Sequence, residues 1–214
     1  NSTLVLGSSK SGVLQYGLTL SEDYRLCICT DDVENLSECY RRMLANISKY
    51  QARKVVFVDN ELGNFKGIAE QFSGCRYIKG ENAFGEFLEE WKSDLNGRLE
   101  DEEKCLEQLF IVIAEFNEFF DMISDDQAAF MRKVFQYINS PKYGITFICG
   151  FNVNGDKNND RLFMSLIVNA ENYLLTSNSY EKAKEKIETL PLLSKIYPNT
   201  SYVCLKEKFI EIRW

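Results

Sequence analysis

Short apolar runs alternate with amphipathic segments along the whole chain. The apolar runs, each predicted to form a strand buried on both faces, lie at residues 4–6, 26–29, 55–58, 109–113, 145–149 and 173–175. Between them, apolar residues repeat with helical spacing over residues 33–47, 84–95, 131–138 and 180–190. Residues 202–214 alternate loosely, which favours a terminal strand pair. Strands that alternate with helices in this way predict an α/β fold with a mainly parallel sheet flanked by helices.

The residues after the first apolar run have the glycine spacing of a phosphate-binding loop. A P-loop reads G-x-x-x-x-G-K-[ST], with a strand before it and a helix after it. The corresponding segment consists of Gly7, Ser8, Ser9, Lys10, Ser11, Gly12, Val13 and Leu14. Val13 and Leu14 replace the lysine that reaches the phosphates and the hydroxyl that ligates Mg²⁺, and apolar side chains can do neither. We therefore interpret the segment as a vestigial nucleotide-binding loop between a strand and a helix.

A second ATPase signature is a strand that ends in acidic residues, one of which holds Mg²⁺. Two strands qualify, one followed by Asp59 and the other followed by Ala114 and Glu115. We prefer the second, in which Ala114 replaces the metal-binding Asp and only Glu115 keeps a carboxylate. We therefore expect no catalytic residue and no metal site, only a vestigial Glu115.

The stretch at residues 109–120 resembles the Walker B segment of FtsK/SpoIIIE-type ATPases, in which apolar residues precede Asp-Glu-Phe and a further acidic residue. As in that family, a predicted helix at residues 125–138 and a strand at residues 145–149 follow it. Phe151 stands where the family has a sensor glutamine. The resemblance extends over nearly the whole chain, and it implies a RecA-like P-loop NTPase fold.

Within that family, the chain looks most like the degenerate C-terminal ATPase domain of type VII secretion motors of the EssC and EccC group. The resemblance implies that residues 1–214 are one domain, excised from a longer membrane protein and placed at the cytoplasmic face of the bacterial cell membrane. The partners that it implies are other ATPase modules of the same chain, secreted WXG100-like helical substrates and further copies in a homo-hexamer. With the phosphate and metal groups lost, we expect no cofactor, weak binding of ATP and Mg²⁺ at most, and no hydrolysis.

Composition narrows the function classes further. The net charge of −7 and the pI near 4.9 disfavour a nucleic-acid partner, because duplex binding needs a basic surface. Histidine is absent, which removes Ser-His-Asp and Cys-His catalysis and histidine metal ligands. The seven cysteines are scattered and odd in number, which favours free thiols in a reducing compartment.

Two alternatives stay open from the sequence alone. A divergent but active ATPase could use Lys10 to contact the phosphates and Asp59 to hold Mg²⁺. A DNA translocase fragment has precedent in the FtsK family, although the acidic balance of this chain counts against it.

Overall fold

The computed structural model describes residues 3–50, 53–100, 107–155 and 170–213. Its strands are β1 (Thr3–Ser8), β2 (Gln15–Thr19), β3 (Arg25–Thr30), β4 (Arg53–Asp59), β5 (Cys75–Lys79), β6 (Gln108–Ile113), β7 (Ile145–Asn152), β8 (Asn172–Thr176), β9 (Ser201–Leu205) and β10 (Lys208–Ile212). Its α-helices are α1 (Val33–Ile47), α2 (Lys66–Ala69), α3 (Gly80–Glu100), α4 (Phe116–Met122), α5 (Asp125–Tyr137) and α6 (Tyr180–Lys186). Within the described ranges, no helix combines the length and the apolar composition that a bilayer span requires.

The main sheet has eight strands in the order β10-β9-β8-β3-β7-β6-β4-β5. The strands from β8 to β5 run parallel to one another, whereas β9 and β10 pair antiparallel at one edge. The predicted α/β fold with a mainly parallel sheet is therefore confirmed. The predicted terminal strand pair is also present, as β9 and β10.

The amino-terminal segment departs from the sequence prediction. β1 and β2 pair with each other as a separate antiparallel hairpin, so the helix predicted after Gly12 is wrong. Gly12 has φ +74°, and the Ser9 N–H donates to the Leu14 carbonyl at 2.8 Å, which closes a hairpin turn. Gly17 lets the two strands approach, because a Cβ there would lie 1.9 Å from the carbonyl oxygen of Leu4.

The apolar side chains of the sheet divide between two covered faces. One face packs against α3, α4, α5 and α6, and the other packs against α1, α2 and the hairpin. Within β6, Ile111 and Ile113 belong to the first layer, whereas Phe110 and Val112 belong to the second. Such alternation follows from the pleat of a strand that is buried on both faces.

The cysteines in the described part of the chain are all free thiols, as predicted. Burial raises the pKa of Cys39 and of Cys149 to about 12, so both thiols are protonated near neutral pH. Cys105 lies outside the described residues.

The chain changes direction in the sheet between β3 and β7. From β3 it continues through α1 to β4, on the far side of β7 and β6, whereas from β7 it continues to β8, on the other side of β3. When the connections from two neighbouring parallel strands run in opposite directions, ligands bind in the crevice at the carboxyl ends of those two strands. The candidate site is therefore at the ends of β3 and β7, with the end of β6 beside them.

Candidate functional site

A turn of only two residues connects β3 to α1. β3 ends at Thr30 and α1 begins at Val33, so Asp31 and Asp32 alone link them. A P-loop places several residues between strand and helix, and their N–H groups surround the phosphates. Two residues leave no segment that could surround a phosphate chain. This connection, every residue of which is described, therefore contains no P-loop.

A carboxylate already caps the amino terminus of α1. Oδ1 of Asp32 accepts a hydrogen bond from the Asn35 N–H at 2.7 Å. The side-chain amide of Asn35 donates to Asp31 and to Asp32, at 3.2 and 3.1 Å. A helix amino terminus attracts anions through its N–H groups and its dipole. Asp32 occupies this position, and together with Asp31 it puts negative charge where a phosphate would lie.

Hydrogen bonds join the ends of β3 and β7 across the crevice. The Val153 N–H donates to the Thr30 carbonyl at 2.9 Å, which continues the parallel β3–β7 ladder by one rung. The side-chain amide of Asn154 donates to the Asp31 carbonyl at 2.7 Å. The Asn154 side chain therefore ties the loop after β7 to the turn after β3.

Two lysines of α6 contact the same loop after β7. The Lys186 ammonium donates to the Val153 carbonyl at 3.0 Å and lies 5.5 Å from the ring centre of Phe151. Lys182 donates to the side chain of Asn154. Phe151, at the predicted sensor position, is fully buried in β7. These cations hold the loop in place, and the sequence analysis did not identify them.

Ala114, at the predicted position of the metal-binding Asp, is fully buried after β6. Its carbonyl accepts a hydrogen bond at 2.7 Å from the hydroxyl of Tyr40, which reaches it from α1. Gly150 in β7 makes room for this contact, because a Cβ there would lie 2.1 Å from the Tyr40 hydroxyl and 2.2 Å from the Ala114 oxygen. A buried tyrosine thus fills the space below the crevice.

Glu115 follows Ala114 and lies at the same edge of the sheet. It is 9% exposed and accepts a hydrogen bond from the side-chain amide of Asn60 at 2.6 Å. Burial raises the pKa of Glu115 above its ordinary value of 4.5. The nearby carboxylates of Asp59 and Glu118 add to this rise, and the bond from Asn60 opposes it.

Asp59, the candidate Mg²⁺ ligand of the divergent-ATPase alternative, is buried and hydrogen-bonded to protein groups. It accepts from the Asn60 N–H at 2.8 Å, the Phe65 N–H at 2.9 Å and the Tyr77 hydroxyl at 2.8 Å. These bonds hold the loop after β4 against β5. In the described ranges, no group of three or more His, Cys, Asp or Glu residues is arranged to hold a metal ion.

The predicted P-loop segment lies at a different edge of the molecule. Gly7 and Ser8 belong to β1, and the hairpin turn consists of Ser9, Lys10, Ser11, Gly12, Val13 and Leu14. Lys10 pairs with Glu211 of β10 at 2.8 Å. β10 is three strands from β3 in the sheet order, about 14 Å at the usual strand spacing. The interpretation of this segment as a nucleotide loop is corrected, because no helix follows it and it is not at the crevice.

The sequence does contain a signal for the connection from β3 to α1, which lies at the crevice. The apolar run at residues 26–29 is followed by Asp31 and Asp32, and then by the helical repeat that begins at Val33. An Asp immediately before an amphipathic segment is a typical helix start. Because of the glycine spacing at Gly7 and Gly12, the sequence analysis instead placed the phosphate loop after β1.

The sequence itself matches no family model and no curated protein. Solved structures do match. The cytoplasmic domain of EssC superimposes with a TM-score of 0.78 and 12% identity, covering 99% of this chain and 43% of that one. EssC (ATPases 2 and 3) from Geobacillus thermodenitrificans gives 0.76 and 13%, covering 99% and 40%. Thermomonospora curvata EccC (ATPases 2 and 3), solved in complex with a signal sequence peptide, gives 0.72 and 15%, covering 100% and 40%.

This chain spans less than half the length of these three structures. A further match is the pCW3 conjugation coupling protein TcpA, a monomer solved with ATPγS, with a TM-score of 0.67 and 15% identity. At these identities the likeness is one of fold. The chain therefore has the fold of the ATPase domains of the type VII secretion proteins EssC and EccC, which confirms the resemblance to that group of ATPase modules.

Proposed function

We propose that this chain is a non-hydrolysing ATPase-like module of a type VII protein secretion motor, which engages partner proteins and regulates neighbouring ATPase modules. One observation carries the proposal. At the crevice where a parallel sheet of this kind binds its ligand, the β3–α1 turn has only two residues, Asp31 and Asp32, and the Asn154 side chain donates a hydrogen bond to it.

The energetics favour a large loss of nucleotide affinity. A working site holds the phosphates with a lysine, a metal ion and several N–H groups. Charge-assisted hydrogen bonds contribute roughly 1.5–3 kcal/mol each, and about 1.4 kcal/mol changes a binding constant tenfold. Losing several of them, with Asp31 and Asp32 in their place, lowers the affinity for Mg-ATP by several orders of magnitude. Hydrolysis suffers further, because phosphoryl transfer depends on the same charges.

The partners that we propose follow from the matched structures. The matched EssC and EccC structures each contain ATPases 2 and 3, and the EccC structure is in complex with a signal sequence peptide. We therefore propose other ATPase modules of a longer parent chain, secreted WXG100-like helical proteins and a hexameric motor as the setting of this domain. The setting also implies a position at the cytoplasmic face of a bacterial membrane.

Turnover of Mg-ATP tests the proposal. The purified chain should release no phosphate above the level of a Glu115→Gln variant, measured beside an ATPase domain that has an intact P-loop. Turnover that is lost on Glu115→Gln would overturn the proposal. Lys10→Ala should leave any residual signal unchanged, since Lys10 pairs with Glu211 away from the crevice.

A further inference from the structure

An open cleft of about 370 Å³ separates the hairpin from the carboxyl-terminal half of α1. Apolar groups of Val5, Leu6 and Ala45 line part of it. Asn46 of α1 fixes its width, because the side-chain amide donates to the Val5 carbonyl at 2.9 Å. The cleft thus has apolar lining and one wall held in place by a side-chain hydrogen bond.

Main-chain hydrogen bonds fix the end of the cleft. The Ser8 N–H donates to the Arg213 carbonyl at 2.8 Å, and the Arg213 N–H donates back to the Ser8 carbonyl at 2.8 Å. Arg213 is held here by its backbone, and its exposed side chain lines the cleft. Truncation of this side chain therefore leaves the hydrogen bonds of the wall intact.

Cationic side chains gather around this cleft. Arg42 and Arg213 line it, and the Lys49 ammonium donates at 2.9 Å to another side chain of the lining. Glu38 is the carboxylate that pairs with Arg42, and it also pairs with Arg41. Two guanidinium groups therefore line the cleft and the Lys49 ammonium lies beside it, on a chain whose net charge is −7.

We propose that the cleft binds an extended, acidic and partly apolar peptide segment of a partner protein. Guanidinium groups bind carboxylates with two parallel hydrogen bonds, which suits the acidic side chains of such a segment. The apolar lining suits the side chains that alternate with them along an extended peptide. This assignment deepens the proposed interaction function and rests on it.

The cleft is separate from the crevice at β3 and β7. Asn46 is fourteen residues after Asp32 along α1, about 21 Å at the usual helical rise. Ligands of the two sites can therefore be told apart by mutating one site alone.

The test uses two capped hexapeptides, one that alternates glutamate with valine and one that alternates lysine with valine. Binding to the full chain is measured by fluorescence polarisation at low salt. The glutamate peptide should bind saturably below millimolar concentration, and the lysine peptide should not bind. Arg42→Ala and Arg213→Ala should each weaken binding roughly fivefold, as expected for partly exposed charge pairs. Arg41→Ala is the matched control, since Arg41 also pairs with Glu38 but does not line the cleft, and it should change affinity less than about twofold.

Three results would overturn the assignment. These are no binding of the glutamate peptide, equal binding of the lysine peptide, or equal losses in Arg41→Ala and Arg213→Ala. Inorganic phosphate that displaces the peptide at equal concentration and depends on Arg213 would identify a simple anion site instead. If the chain did hydrolyse ATP, contrary to the proposed function, the result would be different. The Arg42→Ala, Arg213→Ala double variant would then still turn over Mg-ATP.

Discussion

At the scale of single residues, Gly150 makes room for the Tyr40 hydroxyl to reach the Ala114 carbonyl below the crevice. Because a Cβ at Gly150 would overlap both the Tyr40 hydroxyl and the Ala114 carbonyl, Gly150→Ala forces two buried groups apart. We expect it to lower the free energy of unfolding by roughly 1–3 kcal/mol, the usual cost of overpacking a core. Urea denaturation followed by circular dichroism measures this change.

Gly97→Ala is the matched control for that variant. Gly97 lies within α3, and a Cβ there has no neighbour within 4 Å. Replacing a helical glycine by alanine should stabilise the protein by about 0.5–1 kcal/mol. If Gly150→Ala were as stable as Gly97→Ala, the close packing of Tyr40 described above would be incorrect.

Glu115 makes stability depend on pH in a direction that the structure fixes. Its pKa is raised in the folded state, so the folded protein holds the proton more tightly than the unfolded chain does. Its contribution therefore becomes less favourable as the pH rises above about 4.5, through the folded pKa. Glu115→Gln removes this term, and the amide oxygen can still accept from Asn60. The variant should gain stability relative to the wild type between pH 4 and pH 7.

Denaturant titrations at several pH values measure that difference. Glu185→Gln is a suitable comparison, because Glu185 is an exposed residue of α6 and does not contribute to the raised pKa of Glu115. It should change little across the same range. A Glu115→Gln difference that stays constant, or that shrinks as the pH rises, would contradict the raised pKa of Glu115.

At the scale of elements, the start of α1 supports the proposal that the crevice does not bind phosphate. Asp32→Ala removes the cap and should cost about 1 kcal/mol of stability. Asp32→Ser keeps a cap without the charge and should cost less than half of that. Neither variant should gain binding of Mg-ATP, since the two-residue turn remains. Thermal unfolding and a nucleotide titration measure the two effects, and micromolar nucleotide binding by Asp32→Ser would show that charge alone closes the site.

Sequence patterns predicted the buried elements well and the hairpin poorly. Each apolar run became a strand, and the repeats at residues 33–47 and 131–138 lie on α1 and α5, because burial imposes the period of the element on its sequence. β2 has no such period, and Gly17 within it is a weak strand former. Its existence depends on pairing with β1, a contact that local patterns do not encode. The same limit hid the bonds that Asn154 makes across the crevice.

At the scale of the whole molecule, the fold does not determine the chemistry of the site. The sheet superimposes on ATPase domains with TM-scores up to 0.78, yet at the edge where such sheets bind ligands the turn after β3 has only two residues, and both are aspartates. The fold depends on buried apolar residues of the strands and helices, whereas a ligand site depends on polar residues in the turns at the strand ends. A chain can therefore keep the first and lose the second, which is what we propose for this one, with surfaces such as the cleft beside α1 serving interaction with partners.

Calorimetric titration of Mg-ATP into the purified chain tests the central claim most directly. The closed crevice, with Asp31 and Asp32 at its edge, predicts no saturable heat up to millimolar nucleotide, and the same result for the Asp32→Ser variant. Micromolar binding that requires Mg²⁺ and survives the Arg42→Ala, Arg213→Ala double variant would contradict the account, because it would place a working nucleotide site on this sheet.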